Sequence, residues 1–306
     1  MSAASARHAA RDSLAVRVAA PVGVLITAAA SLATLFGVVA LKPVELPGPA
    51  AVMTLPAVTV EQADVPDPCA DDVVATALAN GDDAAVVAAF GSGEDFRVAV
   101  TSGNAPCITL DDPARTWVVV NKQRPLSPEN FAPASLDRTA LRATTPSNRM
   151  RPEVKQALEK MAADARAAGA GQLGINNGYR SFSVQQRTYS THVADRGRHG
   201  ADAVSARPGF SEHQSGLAFD LVACSPQCGS IDAFGPTSQG RWVGENAWKY
   251  GFVVRYEHGE TGTTGYDPEP WHIRYIGTDL AKAYRDGGFH TLEEFFALPD
   301  APDYQH

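Results

Sequence analysis

An α+β fold is what the sequence predicts for the larger, C-terminal part of this chain, and three observations predict it. Two segments, RPEVKQALEKMAADARAAGA from Arg151 and SVQQRTYSTHVADRG from Ser183, read as helices. Three short runs, QLGIN, LAFDLV and WHIRYIG, are apolar or alternate with a period of two, as half-buried strands do. These helices and strands follow one another at irregular spacing, which disfavours a regular βαβ alternation.

Taken in order, residues 1–17 form a basic tail with Arg7, Arg11 and Arg17. Residues 18–41 contain AAPVGVLITAAASLATLFGVVAL, a run without a single charge. At 1.5 Å per residue it suffices to cross a hydrocarbon core of roughly 30 Å, and it exceeds a signal-peptide h-region of about 7–15 residues. It therefore reads as an uncleaved transmembrane signal-anchor, with cleavage after Val38-Val39-Ala40 as the alternative. The flanking arginines place the N-terminus in the cytoplasm and everything after Lys42 outside. Residues 42–68 hold Pro43, Pro47, Pro49, Pro56, Pro66 and Pro68 and read as an extended linker. Residues 69–111 form a small helical subdomain punctuated by Gly81 and Gly91, with Asp82 and Asp83 placed to cap its second helix.

The main domain is expected over residues 112–300. It opens with TWVVVNKQRPL, a strand running into a loop closed by proline. In the helix from Arg151, Pro152 suits the first turn, and Val154, Leu158, Met161 and Ala165 recur at helical spacing. The helix from Ser183 closes near Gly197, and Ser183-x-x-Gln186 has the pattern of a capping box.

The formal net charge of −8 argues against nucleic acid as the main partner. An even set of cysteines, Cys69, Cys107, Cys224 and Cys228, suggests two disulfides in an exported chain, with three possible connectivities. We expect Cys69–Cys107, clasping the helical segment, and Cys224–Cys228, closing a short loop. A four-cysteine zinc site needs two close pairs, which Cys69 and Cys107 do not form.

Applied to the last two runs, the strand period puts Asp220 on a face with Ala218 and Val222, opposite Leu217, Phe219 and Leu221. It puts His272 on a face with Arg274, opposite Trp271, Ile273 and Tyr275. Each strand thus offers one metal ligand to one side and apolar bulk to the other. His213, Asp220 and His272 supply two imidazoles and a carboxylate, a mixture suited to zinc, and three protein ligands leave a position open for water. Glu269, three residues before His272 in EPWH, is placed to act as a proton acceptor and donor.

These residues carry a resemblance. SEHQSGLAFD is similar to the SxHxxGxAxD motif of the zinc D-Ala-D-Ala carboxypeptidases, EPWH resembles their ExWH motif, and GYRSFSVQ resembles the YRSxxxQ segment of the VanY-type branch. That group also includes lysostaphin-like enzymes and the hedgehog signalling domain. The likeness spans roughly residues 115 to 280, with all three motifs in the expected order. It implies one zinc per chain held by His213, Asp220 and His272, with Glu269 as the general base. It implies that Arg180, Gln185 and Ser211 hold the substrate, Arg180 as a fork for its terminal carboxylate. The implied fold is a small central antiparallel sheet carrying the zinc site, with helices packed on one side, preceded by the membrane anchor and the small helical segment. Gly178 and Gly216 read as backbone positions where a side chain would obstruct, Tyr179 and Trp271 as packing residues, and His192, His199, His258 and His290 as surface residues.

The function implied is hydrolysis of the C-terminal D-Ala bond of peptidoglycan stem peptides by a metal-activated water. Alternatives are an L,D-carboxypeptidase, a cross-link endopeptidase and, from another class, a non-catalytic zinc-bearing wall-binding module. The presence of Glu269 favours an enzyme. A serine peptidase is disfavoured: no lysine has a serine three positions before it, and neither GxSxG nor HExxH occurs. The expected setting is a bacterial cell membrane, with a single span, an extracytoplasmic catalytic domain and a monomeric chain. Residues 195–210 and 223–245 are expected to shape the pocket.

Overall fold

Each of the first three helices is started by a short polar side chain, as its sequence dictates. The computed structural model describes residues 67–305, so the basic tail, the proposed anchor and all but the end of the linker lie outside the described residues. Among the described residues, no helix is long and apolar enough to cross a membrane. After a 3₁₀ turn at Pro68–Ala70 come α1 (Asp72–Asn80), α2 (Asp83–Ala89) and α3 (Gly93–Thr101). Their first-turn N–H groups are capped by Asp71, Asp82 and Ser92 respectively. Asp83 is not a cap. It opens α2, and its carboxylate instead accepts from the Thr116 N–H at 2.6 Å and from Arg115 at 3.1 Å.

The expected strand over TWVVVN does not form. Its period-two alternation is real: Val118 and Val120 enter one apolar cluster, Trp117 and Val119 another. What it lacks is a partner strand. Thr116 O and Val118 O accept from Arg274 Nη2 at 2.9 and 2.7 Å, and Val119 N–H donates to Leu110 O. With its backbone groups satisfied in this way, the segment needs no ladder.

A two-residue ladder of β1 (Asp137–Arg138) and β2 (Arg149–Met150) leads into α4 (Pro152–Ala167). As its spacing predicts, α4 buries Val154, Leu158, Met161 and Ala165. Then follow β3 (Gln172–Asn177) and α5 (Phe182–Val204). Two details of α5 differ from expectation. Its cap is Ser181, whose Oγ accepts from Val184 N–H, so Ser183-x-x-Gln186 is not a capping box. At Gly197 (φ 72°, ψ 169°) the helix kinks but resumes to Val204.

The remaining elements are β4 (Ala218–Cys224), α6 (Ser238–Asn246), β5 (Phe252–Tyr256), α7 (Thr261–Thr264), β6 (Glu269–Tyr275), α8 (Thr278–Asp286) and α9 (Leu292–Phe295). The strands form one antiparallel sheet in the order β3-β4-β6-β5. Phe219, Leu221 and Ile273 join the α4 side chains and Val243 of α6 in one core. Asp220, His272 and Arg274 face the other way. Helices are not confined to one side of the sheet. Val253, register partner of Arg274, packs with α8, α9 and the three N-terminal helices in a second cluster around Phe96, Trp117 and Leu280. Full burial of a side chain such as Phe96 stabilises by roughly 1.5–3 kcal/mol, so α1–α3 share a core with the C-terminal helices. The disulfides are Cys69–Cys107 and Cys224–Cys228.

Candidate metal centre and active site

The sheet register sets two of the three candidate ligands. Asp220 of β4 and His272 of β6 are directly opposed, so their side chains emerge side by side on one face. His213 arrives from the loop before β4, in a 3₁₀ turn, Glu212–Ser215, that ends at Gly216 in the left-handed conformation (φ 72°). A Cβ at Gly216 would press on Pro133, Arg151 and Leu136 at 3.1–3.2 Å, so both backbone and space require glycine there.

All three side chains are almost fully buried, and one nitrogen or oxygen from each lies within 4.8 Å of the others. Asp220 Oδ1 is 3.4 Å from His213 Nε2 and 3.4 Å from His272 Nδ1. Two ligands bound at about 2.0–2.1 Å to a tetrahedral zinc lie about 3.3–3.4 Å apart. His213 Nε2 and Asp220 Oδ1 are buried and make no hydrogen bond among the described residues. Leaving such groups unmet costs about 1–3 kcal/mol each, and a cation would satisfy both. The donor set, its spacing and its orphaned atoms therefore fit zinc.

The outer faces of the ligands are held as a metal site requires. His213 Nδ1 lies 2.9 Å from Gly178 O, which fixes the proton on Nδ1 and leaves the Nε2 lone pair facing inward. His272 Nε2 lies 3.2 Å from Glu212 Oε2, so here Nδ1 faces inward. Asp220 Oδ2 accepts from Asn177 Nδ2 at 3.1 Å. Glu212 in turn accepts from Arg255 and Arg274. Sequence reasoning missed Glu212, Asn177 and Arg255 as supports of the site; the one available signal was Arg274, on the same strand face as His272.

A cavity of about 500 Å³ opens over His213 and Asp220, and Glu269, Arg180, Ser211, Tyr256 and Trp271 also line it. Glu269 Oε2 is 3.5 Å from His272 Nδ1. Burial pushes the Glu269 carboxyl up to about 8, with Asp220 adding to the rise and His272 and Arg180 opposing it. Burial, reinforced by Arg180, pushes the His213 imidazole down to about 4. For His272 burial is outweighed by Asp220 and Glu212, and the ring rises to about 9. A bound dication would favour the deprotonated form of each of these groups.

Arg180 enters the same cavity. Its backbone N–H donates to His213 O at 3.3 Å, and its buried Nε has no partner among the described residues. Ser211 is buried on the cavity wall and its side chain caps nothing. Gln185 is placed differently: it is buried behind the wall, and its Nε2 donates to Ala206 O at 2.6 Å. It thereby holds a segment that lines the cavity without lining it itself. His192, read from sequence as a surface residue, is half-buried in the cavity wall with Arg196. Of the stretches expected to shape the pocket, Arg196, residues 204–206 and residues 231–232 do so.

Comparison with known proteins agrees with this geometry. Residues 147–278 match the profile of the family described as VanY, D-alanyl-D-alanine carboxypeptidase. A carboxypeptidase by name, YodJ of Bacillus subtilis (strain 168), is 37% identical over 61% of this chain and 69% of its own length. Among solved structures, the LdcB LD-carboxypeptidase aligns with a TM-score of 0.56 at 37% identity, covering 60% of this chain and 87% of LdcB. VanY, a D,D-pentapeptidase from a VanB-type vancomycin-resistance cassette solved in complex with Zn(II), aligns with a TM-score of 0.50 at 28% identity, covering 59% of this chain and 98% of VanY. With three motifs closing on one cavity and relatives matched over most of their length, this chain belongs to the VanY family of D-alanyl-D-alanine carboxypeptidases.

Proposed function

We propose that the chain is a zinc D,D-carboxypeptidase that removes the terminal D-Ala from peptidoglycan stem peptides, with His213, Asp220 and His272 holding the metal. The observation that carries this reading is the buried, unpartnered Nε of Arg180 in the cavity of the triad and Glu269. A guanidinium with a buried, unpartnered donor in this cavity calls for an anion, and the terminal carboxylate of a peptide matches its fork. Binding that carboxylate fixes which peptide bond lies over the triad, so the site cuts one residue from the end.

Zinc, when bound, supplies Lewis acidity to the scissile carbonyl and to water. Glu269 moves the protons. Its carboxylate accepts one at Oε from the attacking water and returns it to the nitrogen of the departing D-Ala. Its Oε2, 3.5 Å from His272 Nδ1, puts the carboxylate beside the ligand set, where both transfers take place. Gly178 O and Glu212 keep the two imidazoles turned with their lone pairs inward. Asn177 does the same for Asp220.

A second reading, an L,D-carboxypeptidase, is favoured by the higher identity to LdcB than to VanY. Both readings share the leaving D-Ala and its carboxylate; they differ in the configuration of the residue before it. Incubation of the purified full chain with a pentapeptide stem ending in D-Ala-D-Ala, and with a tetrapeptide whose last D-Ala follows an L-centre, separates them. We expect loss of one D-Ala from the pentapeptide by mass. Cleavage of the tetrapeptide alone would establish the second reading, and cleavage of neither would overturn both. As to setting, the uncharged run at residues 18–41 and the two disulfides support an enzyme held at the outer face of a bacterial membrane.

A further inference from the structure

We propose that Glu293, on the C-terminal helix α9, is a positioning residue for the metal centre, acting on His272 through Arg255 and Glu212. The inference rests on the assignment of His272 as a zinc ligand. The four linked charged side chains, Glu212, Arg255, Arg274 and Glu293, each expose 1% or less of their surface. Glu212 turns Oε2 to His272 Nε2, while its Oε1 accepts from Arg255 Nε at 3.0 Å and Arg274 Nη1 at 2.8 Å. With one oxygen pinned by two guanidiniums, the carboxylate plane is fixed and the other oxygen meets the imidazole. Arg255 is fixed in its turn by a two-pronged pair with Glu293, Nη1 to Oε2 at 2.9 Å and Nη2 to Oε1 at 2.7 Å. Asn121 Nδ2 closes the chain by donating to Glu293 Oε1 at 2.9 Å.

Charge balance gives Glu293 its leverage. Two carboxylates and two guanidiniums cancel where all four side chains are buried from solvent. If Glu293 loses its charge, Arg255 and Arg274 must share Glu212 alone. Glu212 then becomes a weaker acceptor for the His272 N–H, and the ring donates less strongly through Nδ1. Both effects lower zinc affinity. Asn121 and Glu293 both lie outside residues 147–278, the part matched by the family profile. The brace therefore comes from the segments that flank it.

The test is the zinc dissociation constant of the purified full chain, measured by chelator competition. Support partners of metal-bound histidines are worth about 10–100-fold in affinity, and we expect Glu293→Gln to weaken zinc about tenfold. In a Glu212→Gln background the same change should alter it by less than about twofold, because the route to His272 is already cut. A side chain that merely packs would give equal losses in both backgrounds, or none in either, and both results overturn the proposal. Should Glu293→Gln not fold, Arg255→Met with Glu293→Leu removes the pair at constant net charge. That variant leaves Glu212 Oε1 pinned by Arg274 alone, so the carboxylate plane that meets His272 is no longer fixed. It should melt near the parent temperature yet bind zinc several-fold more weakly, and unchanged zinc affinity would overturn the inference. His272→Ala is the control for the site itself: zinc retained at parental affinity there would overturn the ligand assignment and the inference with it.

Discussion

Replacing Gly178 by alanine should damage the metal centre without touching a ligand. A Cβ at this position would fall 2.4 Å from Arg149 O and 3.2 Å from Arg149 N and C, whereas ordinary contact begins at 3.4 Å. About 1 Å must therefore open between two backbone segments, and neither is free to move. Tyr179 N–H donates to Arg149 O at 2.6 Å, Gly178 N–H donates to Ser147 O at 2.5 Å, and the neighbouring Met150 is fully buried. Part of the shift falls on Gly178 O, which holds His213 Nδ1 at 2.9 Å. Half of it would stretch that bond to about 3.4 Å, the edge of hydrogen-bonding distance. Overpacking of this kind costs about 1–3 kcal/mol, and loss of a ligand's outer hydrogen bond costs about 10–100-fold in metal affinity. Urea unfolding of the zinc-free chain measures the first, and chelator competition the second. A Gly178→Ala protein within about 0.5 kcal/mol of the parent and unchanged in zinc affinity would refute the claim that this carbonyl sets the His213 ring.

Three further outcomes follow from other parts of the structure. Arg180→Ala should lower kcat/KM on peptides with a free C-terminus by about a hundredfold or more, since two charge-assisted hydrogen bonds are worth roughly 1.5–3 kcal/mol each. Amidated peptides should lose far less, and equal losses on both would remove Arg180 from carboxylate recognition. The Cys69–Cys107 bond spans a sequence separation of 38, and closing such a loop stabilises by about 4 kcal/mol in the chain-entropy model. Replacing both cysteines by serine should lower the melting temperature while leaving turnover of the folded enzyme intact, and an unchanged melting temperature would contradict this. Asp202 accepts from Arg207 at 2.9 and 3.1 Å and from Tyr189 at 2.6 Å, and these bonds outweigh burial and lower its carboxyl. Its stabilisation is therefore present above about pH 4 and lost as pH falls through the folded value. Asp202→Asn should cost roughly 1–2 kcal/mol at pH 7 and less at pH 3, and an equal cost at both would contradict the assignment.

The parts of the fold legible in the sequence are those with a local period. Val154, Leu158, Met161 and Ala165 announce the buried face of α4, and the alternation in LAFDLV and WHIRYIG puts Asp220 and His272 on a shared face that the register then makes adjacent. The failures have physical causes. TWVVVN alternates like a strand, but Arg274 takes its carbonyls. The strand Phe252–Tyr256 was missed because Val253 and Val254 are apolar on successive positions, so no alternation marks it. Glu212 sits inside a recognised motif, yet a 3₁₀ turn has no facial period that would aim it at His272. Arg255 and Glu293 are joined only by tertiary packing, across 38 positions. Pairings of this kind leave no trace in a single sequence.

The most direct test of the central claim is turnover and zinc content of Glu269→Gln on a peptide ending in D-Ala-D-Ala. Glutamine keeps nearly the same shape beside His272, so the cavity and the triad should survive, but its amide cannot take the proton at Oε. We expect one zinc per chain, as in the parent, and a fall in kcat of at least about 10²–10⁴-fold, the usual worth of general acid–base catalysis. A variant that keeps its zinc and turns over at a near-parental rate would contradict the proton-transfer role of Glu269.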